Sequence, residues 1–257
     1  MLENFTVNLA NWMLGISHGS IMWVTFYAGL FVALMTSLGA LVAVFAKRIP
    51  GGGGVDVSLS FAAGVMLVAS FTSLILPAIE DTGSFTPAGG VGIALGVLLI
   101  YAIDRFLPPH EHLVKGYEGP PQSMKDKLRR VWLLVIAVVI HNLPEGLAVG
   151  TSLVYDIRVG LVTAIAIGIQ DFPEGTIVSL PPLAAIQGKR LQPIIMGILS
   201  GVSEMVMVLV GAYFFTLFHG LLPPYGLGLA GGGAMLYVTV KEMIPEIYRG
   251  GRRARRW

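Results

Sequence analysis

Long apolar segments separated by short polar ones dominate the chain. Seven of them are long enough to cross a bilayer, since a spanning helix needs roughly 20 apolar residues. They are Ile21–Phe45, Val57–Ile79, Ala88–Leu107, Val131–Val154, Val159–Ile186, Leu191–Phe218 and Leu221–Ile247. The strict alternation of apolar and polar residues that is typical of a membrane barrel is absent from the sequence. The pattern therefore predicts an all-α fold, a polytopic transmembrane helical bundle of about seven spans.

The composition excludes several classes of protein. Hydrophobic residues make up 54% of the chain and charged residues 12%, against about 25% charged residues in soluble domains. A net charge of +2 offers no basic surface for DNA or RNA, so we expect no nucleic-acid partner. The absence of cysteine excludes disulfides and thiolate metal sites. Residues 1–20 lack the pattern of a signal peptide, and we expect an interfacial helix there.

The charges of the connecting loops predict the orientation. The basic loop and tail residues on one side are Lys47, Arg48, Lys115, Lys125, Lys127, Arg129, Arg130, Lys189, Arg190, Arg249, Arg252, Arg253, Arg255 and Arg256, whereas the opposite loops hold Arg158 alone. The positive-inside rule makes the basic side cytoplasmic. We therefore expect the N-terminus outside, with a cytoplasmic loop at 108–130 and a basic cytoplasmic tail at 248–257. Residues 1–257 are expected to form one membrane domain in the cell (inner) membrane, embedded in the lipid bilayer.

Polar residues inside the predicted spans are the candidates for function. The fourth span contains HNLPEG at 141–146, the fifth contains QDFPEG at 170–175, and the sixth contains Glu204. The four intramembrane acids are Glu145, Asp171, Glu174 and Glu204. Each charged side chain costs about 2.5–3.5 kcal/mol at the bilayer centre. The sequence therefore predicts that a cation neutralises them.

The two hexapeptides are one motif used twice. Residues four apart share a helix face, which places His141 beside Glu145 and Gln170 beside Glu174. Asn142 and Asp171 flank the same glutamates, three residues before each. Proline at 144 and at 173 cannot donate to the carbonyl four residues earlier, so each helix is predicted to bend and to free a carbonyl beside these side chains.

The type of ligand indicates the type of ion. All the clusters lie near the predicted midplane, and they combine one imidazole with carboxylates and amides. This set suits Zn²⁺, Fe²⁺ or Mn²⁺. Four carboxylates balance either two divalent ions or one ion together with bound protons. The residues alone leave both stoichiometries open.

HNLPEG and QDFPEG on consecutive helices resemble the motifs of the ZIP (Zrt/Irt-like) divalent metal transporters, in particular the bacterial GufA-like branch. The resemblance extends through FAAGVMLVASF at 61–71, SGVSEM at 200–205 and KEMIPEI at 241–247. It implies that one metal is held by His141, Glu145, Gln170, Glu174 and Glu204. A second would be held by Asn142, Asp171, Glu145, Glu174 and Glu204.

The resemblance also implies a function. It implies that the protein is a transporter and not an enzyme, and that it forms a homodimer. It also implies that a metal-carrying bundle of helices moves against a scaffold of the remaining helices. Zn²⁺, or a similar ion such as Cd²⁺, Fe²⁺ or Mn²⁺, would be the substrate and no catalytic cofactor is expected. The implied outer path contains Met66, Ser73 and Glu80, and the inner path Glu242 and Glu246.

Two features depart from the family pattern. Family members usually have eight core helices, whereas this sequence predicts seven spans. Lys241 stands where relatives tend to have histidine or an acid, and a fixed cation there should repel a divalent ion.

His110 and His112 in the long loop are weaker candidates for metal capture. The rival class is an intramembrane metal-dependent hydrolase, which needs an open coordination position and a base.

Overall fold

The described part of the chain is helical. The computed structural model describes residues 2–45, 52–81, 87–106, 142–185, 191–218, 228–245 and 248. Within these ranges there are eight helices and no strand. They are α1 (Leu2–Ile16), α2 (Ile21–Phe45), α3 (residues 52–81), α4 (Pro87–Phe106), α5 (residues 142–155), α6 (Ile157–Ala185), α7 (Leu191–Phe218) and α8 (residues 228–245). The predicted all-α class is confirmed.

The apolar pattern located the helices closely. α2 and α7 coincide with two predicted spans residue for residue. Three helical segments of the described chain are long and apolar enough to cross a membrane, namely Ile21–Val42, Ser60–Glu80 and Ile194–Leu217. A shorter apolar segment covers Gly90–Ile103. The chain is thus a multi-pass helical membrane bundle; the number of seven spans and the orientation stay predictions. The loop at 108–130 and residues 249–257 lie outside the described part of the chain.

Helix α1 confirms the helix expected before the first span. It closes with the Gly19 amide donating to the Leu14 carbonyl at 2.8 Å. His18 (φ 51°) and Gly19 (φ 74°) both take the left-handed conformation that lets the chain turn into α2. The location of α1 at the membrane interface stays a prediction.

A one-residue joint brings the two motifs to the same depth. Asp156 separates α5 from α6 and caps α6, because its Oδ1 accepts from the Arg158 amide at 2.7 Å. The Arg158 side chain also pairs with Asp156 at 2.9 Å and lowers the pKa of its carboxyl. Glu145 and Gln170 lie about three and four turns from this joint along antiparallel helices. The joint therefore sets the two motifs side by side.

The helices form two groups. Helices α2, α5, α6 and α7 pack around the motifs, while α3, α4 and α8 pack together beside them. The groups meet where α3 contacts α6 and where the Ser152 hydroxyl donates to the Ser73 carbonyl at 3.4 Å. The metal-ligand candidates of the described chain all belong to the first group.

Two helices of the second group contain π-helical turns that the sequence analysis did not predict. They are Ser70–Ile75 in α3 and, in α8, Gly228–Gly233 and Thr239–Met243. The π turn of α3 packs against the first π turn of α8. Gly231 permits this contact, because a Cβ there would lie 1.5 Å from Leu74 Cδ1. π-Helical turns are rare in proteins, and those that do occur are often found at functional sites.

Glycines let the helices of the first group touch at the backbone. A Cβ on Gly150 of α5 would lie 2.0 Å from the Val208 carbonyl oxygen of α7. A Cβ on Gly175 of α6 would lie equally close to the Thr36 carbonyl oxygen of α2. Close approach through small residues is how helices associate in lipid. The first group is thus closely packed directly around the two motifs.

Candidate metal centre

Glu145 and Gln170 connect the two motifs. Both side chains are fully buried, and Gln170 Nε2 donates to Glu145 Oε1 at 2.5 Å. The bond joins α5 to α6, so it aligns the two copies of the motif across the interface of their helices. It also orients the Gln170 amide, because the nitrogen end is occupied and the oxygen end is left without a hydrogen-bond partner among the described residues.

Three carboxylates converge beside this contact. One oxygen each from Glu145, Asp171 and Glu174 lies within 4.8 Å of the other two. Since Zn–O bonds are about 2.0–2.2 Å, three oxygens around one ion are about 3.3–3.8 Å apart. The three oxygens would therefore approach one another by at most about 1.0–1.5 Å to share a divalent ion.

Several oxygens of the centre have no hydrogen-bond partner among the described residues. They are Glu145 Oε2, Gln170 Oε1, Asp171 Oδ2 and both carboxylate oxygens of Glu204. Buried polar groups are normally hydrogen-bonded, and a buried unpaired charge is costly. Buried oxygens that face one another without donors are the arrangement expected of cation ligands.

Glu204 completes the group from a third helix. It lies on α7, is fully buried, and is close enough to Glu145, Asp171 and Glu174 for the carboxylates to repel one another. Gly146 brings α5 against the backbone of this residue, since a Cβ there would lie 2.5 Å from the Glu204 carbonyl oxygen. The first motif and the acid of α7 are thereby held together.

Asn142 is held by a residue that the sequence analysis missed. Its Nδ2 donates to Ser200 Oγ at 2.9 Å and to the Ser200 carbonyl at 3.2 Å. Because both bonds use the nitrogen, the amide offers only Oδ1 to a metal. Ser200 precedes Glu204 by four residues, and that spacing on one helix face was the signal that would have found it.

The structure thus brings together five of the seven predicted ligand residues. They are Glu145, Gln170, Asp171, Glu174 and Glu204. Asn142 lies about one helical turn before Glu145 and is bonded to Ser200. His141 lies outside the described residues. Helix α6 continues through Pro173, and the bends predicted at the two prolines stay predictions.

The predicted path residues lie at different depths of the second group. Met66 and Ser73 are buried in α3, and the Thr239 hydroxyl of α8 donates to Met66 Sδ at 3.7 Å. Glu80 is exposed near the end of α3. The side chain of Glu242 and all of Glu246 lie outside the part that the structure describes.

Lys241 lies on an exposed face of α8. Its Nζ donates to the Tyr237 hydroxyl at 2.7 Å and sits 5.0 Å from the centre of the same ring. The ammonium is therefore engaged by a residue one turn earlier on its own helix. His110 and His112, the weaker candidates for metal capture, fall outside the described residues.

Comparisons with known proteins identify the family of the chain. The family model described as ZIP zinc transporter matches residues 108–256. Zinc transporter ZIPB of Bordetella bronchiseptica is 41% identical over 84% of this chain and 70% of its own length. Zinc transporter GufA of Myxococcus xanthus is 39% identical over 87% of this chain and 88% of its own length. Zinc transporter ZupT of Corynebacterium efficiens is 34% identical over 87% of this chain and 87% of its own length. By motif, by family match and by relatives alike, the chain belongs to the ZIP zinc transporter family.

Proposed function

We propose that this chain transports divalent metal ions, with zinc as the main substrate, into the cytoplasm through the centre between α5, α6 and α7. The observation that carries the proposal is the convergence of buried carboxylate oxygens without hydrogen-bond donors among the described residues. A membrane bundle would not retain such a group as a structural element, because its repulsion and desolvation are uncompensated. A divalent ion compensates both.

Zinc is the proposed substrate for two reasons. The relatives are named as zinc transporters, and the candidate ligands combine carboxylates and amides with the imidazole of His141, a set that Zn²⁺ accepts. Cd²⁺, Fe²⁺ and Mn²⁺ are proposed as further substrates. The relatives' names also point to a transporter and away from a metal-dependent hydrolase.

The centre is proposed to hold two ions. Glu145, Glu174 and Glu204 would bridge them, with His141 and Gln170 on one ion and Asn142 and Asp171 on the other. The separate anchoring of the two amides supports this division, because Gln170 is tied to Glu145 while Asn142 is tied to Ser200. Two ions would balance the four carboxylates.

Alternating access is the proposed transport mechanism. A midplane site that opens in turn to each side requires one group of helices to move against the other. The glycine contacts hold α2, α5, α6 and α7 together as the group that carries the ligands. The contact between the groups includes the hydrogen bond from Ser152 to Ser73. The first group is proposed to move against α3, α4 and α8.

The remaining parts of the proposal concern the path and the assembly. Met66, Ser73 and Glu80 are proposed to line the outer path, and Glu242 and Glu246 the inner one. The transporter is proposed to be a homodimer in the cell (inner) membrane, with residues 1–257 as one transporter domain. Its loop at 108–130 and its tail at 248–257 would face the cytoplasm.

The test is metal uptake by the purified protein in proteoliposomes. Glu174→Ala should abolish zinc uptake, because it removes a carboxylate that both ions would share. Elemental analysis of the same sample should show reduced bound zinc, with wild-type protein binding two ions per chain.

Asp171→Asn is the matched variant, since it removes charge from one proposed ion only and keeps an oxygen ligand. It should alter the rate or the metal preference without stopping uptake. Full zinc content and full uptake in Glu174→Ala would contradict the shared site. A wild-type content of one ion per chain would contradict the binuclear arrangement and leave transport itself standing.

A further inference from the structure

Thr36 of α2 lies at the edge of the candidate metal centre, although α2 contributes none of the predicted ligands. Helices α2 and α7 run antiparallel, since Gly29 meets Met205 near the start of α2 and Ala40 meets Gly197 further along. Thr36 lies between these two crossings and is 2% exposed. It is therefore buried where α2 packs against the helix of Glu204.

The geometry of antiparallel helices directs Thr36 toward Glu204. Side chains lean toward the N-terminal end of their own helix. On α2 this direction is toward residue 32, and on α7 it is toward residue 200. Thr36 shares a helix face with Ala33 and Ala40, which contact α7 at Gly201 and Gly197. Glu204 follows Gly201 by three residues on the face of α7 that meets α2. The two side chains therefore lie on facing sides of the helices and lean toward each other.

The hydroxyl has two acceptors within reach. In the observed conformation Thr36 Oγ1 donates to the Val32 carbonyl of its own helix at 3.2 Å. That carbonyl also belongs to the backbone ladder of α2, so it does not lose its partner when the hydroxyl turns away. A hydrogen bond to a carboxylate is about twice as strong as one between neutral groups. A charged Glu204 would therefore attract the hydroxyl.

We propose that Thr36 is a positioning residue for Glu204. Its hydroxyl turns from Val32 to the Glu204 carboxylate and orients that carboxylate toward the metal. This inference rests on the proposed metal-transport function. Groups that hydrogen-bond to a metal ligand orient it, and their loss typically weakens metal binding by about 10–100-fold.

The experiment compares zinc affinity among threonine variants of the full chain in detergent, by calorimetric titration with ZnCl₂. Thr36→Val removes the hydroxyl and keeps the shape, and it should weaken zinc binding by about tenfold or more. Thr36→Ser keeps the hydroxyl, so it should bind zinc within about threefold of wild type. Uptake in proteoliposomes, measured on the same proteins, should follow the same order.

Thr25→Val is the matched control. Thr25 is also buried on α2 and donates to the carbonyl four residues earlier, Ile21, at 2.8 Å. It lies about 16 Å along the helix from Thr36, at a rise of about 1.5 Å per residue. Thr25 makes the same hydrogen bond to its own helix but lies far from Glu204, so zinc affinity should be unchanged in Thr25→Val.

Each result has a defined meaning. Equal zinc affinity in Thr36→Val and wild type would overturn the inference, as would equal losses in Thr36→Val and Thr36→Ser or in Thr36→Val and Thr25→Val. If Thr36→Val does not fold, Thr36→Ala takes its place in the comparison with Thr36→Ser. A wild-type chain that neither binds nor takes up zinc would overturn the proposed function together with this inference, whereas wild-type uptake with unchanged variants would overturn the inference alone.

Discussion

Gln170 illustrates how one residue does two things in the candidate metal centre. Its amide nitrogen holds Glu145 while its amide oxygen is buried with no partner among the described residues. A side chain with only an acceptor would leave Glu145 without this donor, and one with only a donor would contribute no ligand. The amide therefore serves both as a candidate ligand and as the link between the two motifs.

Replacement of Gln170 should separate these two roles. Gln170→His keeps a donor for Glu145 and adds an imidazole, so zinc uptake should persist and the preference for Zn²⁺ or Cd²⁺ over Mn²⁺ should rise. Gln170→Leu loses both the ligand and the donor, and zinc affinity should fall by at least about tenfold. Competition uptake in proteoliposomes measures both effects. An unchanged metal preference in Gln170→His would show that residue 170 does not contact the ion.

Helices α2 and α6 touch at the backbone beside the centre. A Cβ on Gly39 of α2 would lie 2.0 Å from the Phe172 carbonyl oxygen, within the second motif. The Thr176 hydroxyl adds a bond to the Gly39 carbonyl at 3.1 Å. Because the contact is between backbones, no side-chain rotation can relieve an added methyl group. The position of Glu174 depends on this contact, since it lies between Phe172 and Thr176.

Gly39→Ala should therefore force α2 away from α6. We expect a loss of about 1–3 kcal/mol in stability, which is the usual cost of overpacking, together with weaker zinc binding. Gly64→Ala on α3 is the matched control, because none of the described residues lies within 4 Å of its added Cβ. Alanine is favoured over glycine in a helix interior by roughly 0.5–1 kcal/mol, so this variant should be neutral or slightly stabilised. Thermal unfolding in detergent compares the two, and equal melting temperatures would contradict the contact.

At the scale of the whole molecule, orientation decides which way the ion moves. The basic residues of the loops and the tail lie on one predicted side, with Arg158 alone opposite. In the structure Arg158 pairs with Asp156 at the joint between α5 and α6, so its charge is partly neutralised on that side. The positive-inside rule counts Lys and Arg and gives Asp little weight, so the pair leaves the orienting asymmetry of the basic residues unchanged.

Cysteine labelling measures this orientation, and the cysteine-free chain supplies a clean background. Ser84→Cys should react with a membrane-impermeant maleimide in intact cells, because the positive-inside rule places its loop outside. Arg255→Cys should react only after the cells are permeabilised. Labelling of Arg255→Cys in intact cells would indicate an inverted chain or an additional crossing.

The sequence by itself determined the helices and the candidate ligands. In lipid every backbone group must be satisfied within its own segment, so an apolar run of sufficient length becomes a helix whatever its neighbours are. This is why α2 and α7 match their predicted bounds. Acids in such a run are costly enough to need a function, which is why the two motifs and Glu204 stood out.

Only the tertiary structure decided which side chains meet across helices. Three features depend on the rotation and crossing of separate helices. They are the bond from Gln170 to Glu145, the bond from Asn142 to Ser200 and the placement of Thr36 on the side of α2 that faces Glu204. Local periodicity does not encode these. Thr36 gave no signal at all, because a threonine in an apolar helix can satisfy its hydroxyl on its own backbone. Its significance comes from the neighbouring carboxylate, which only the packing of α2 against α7 brings within reach.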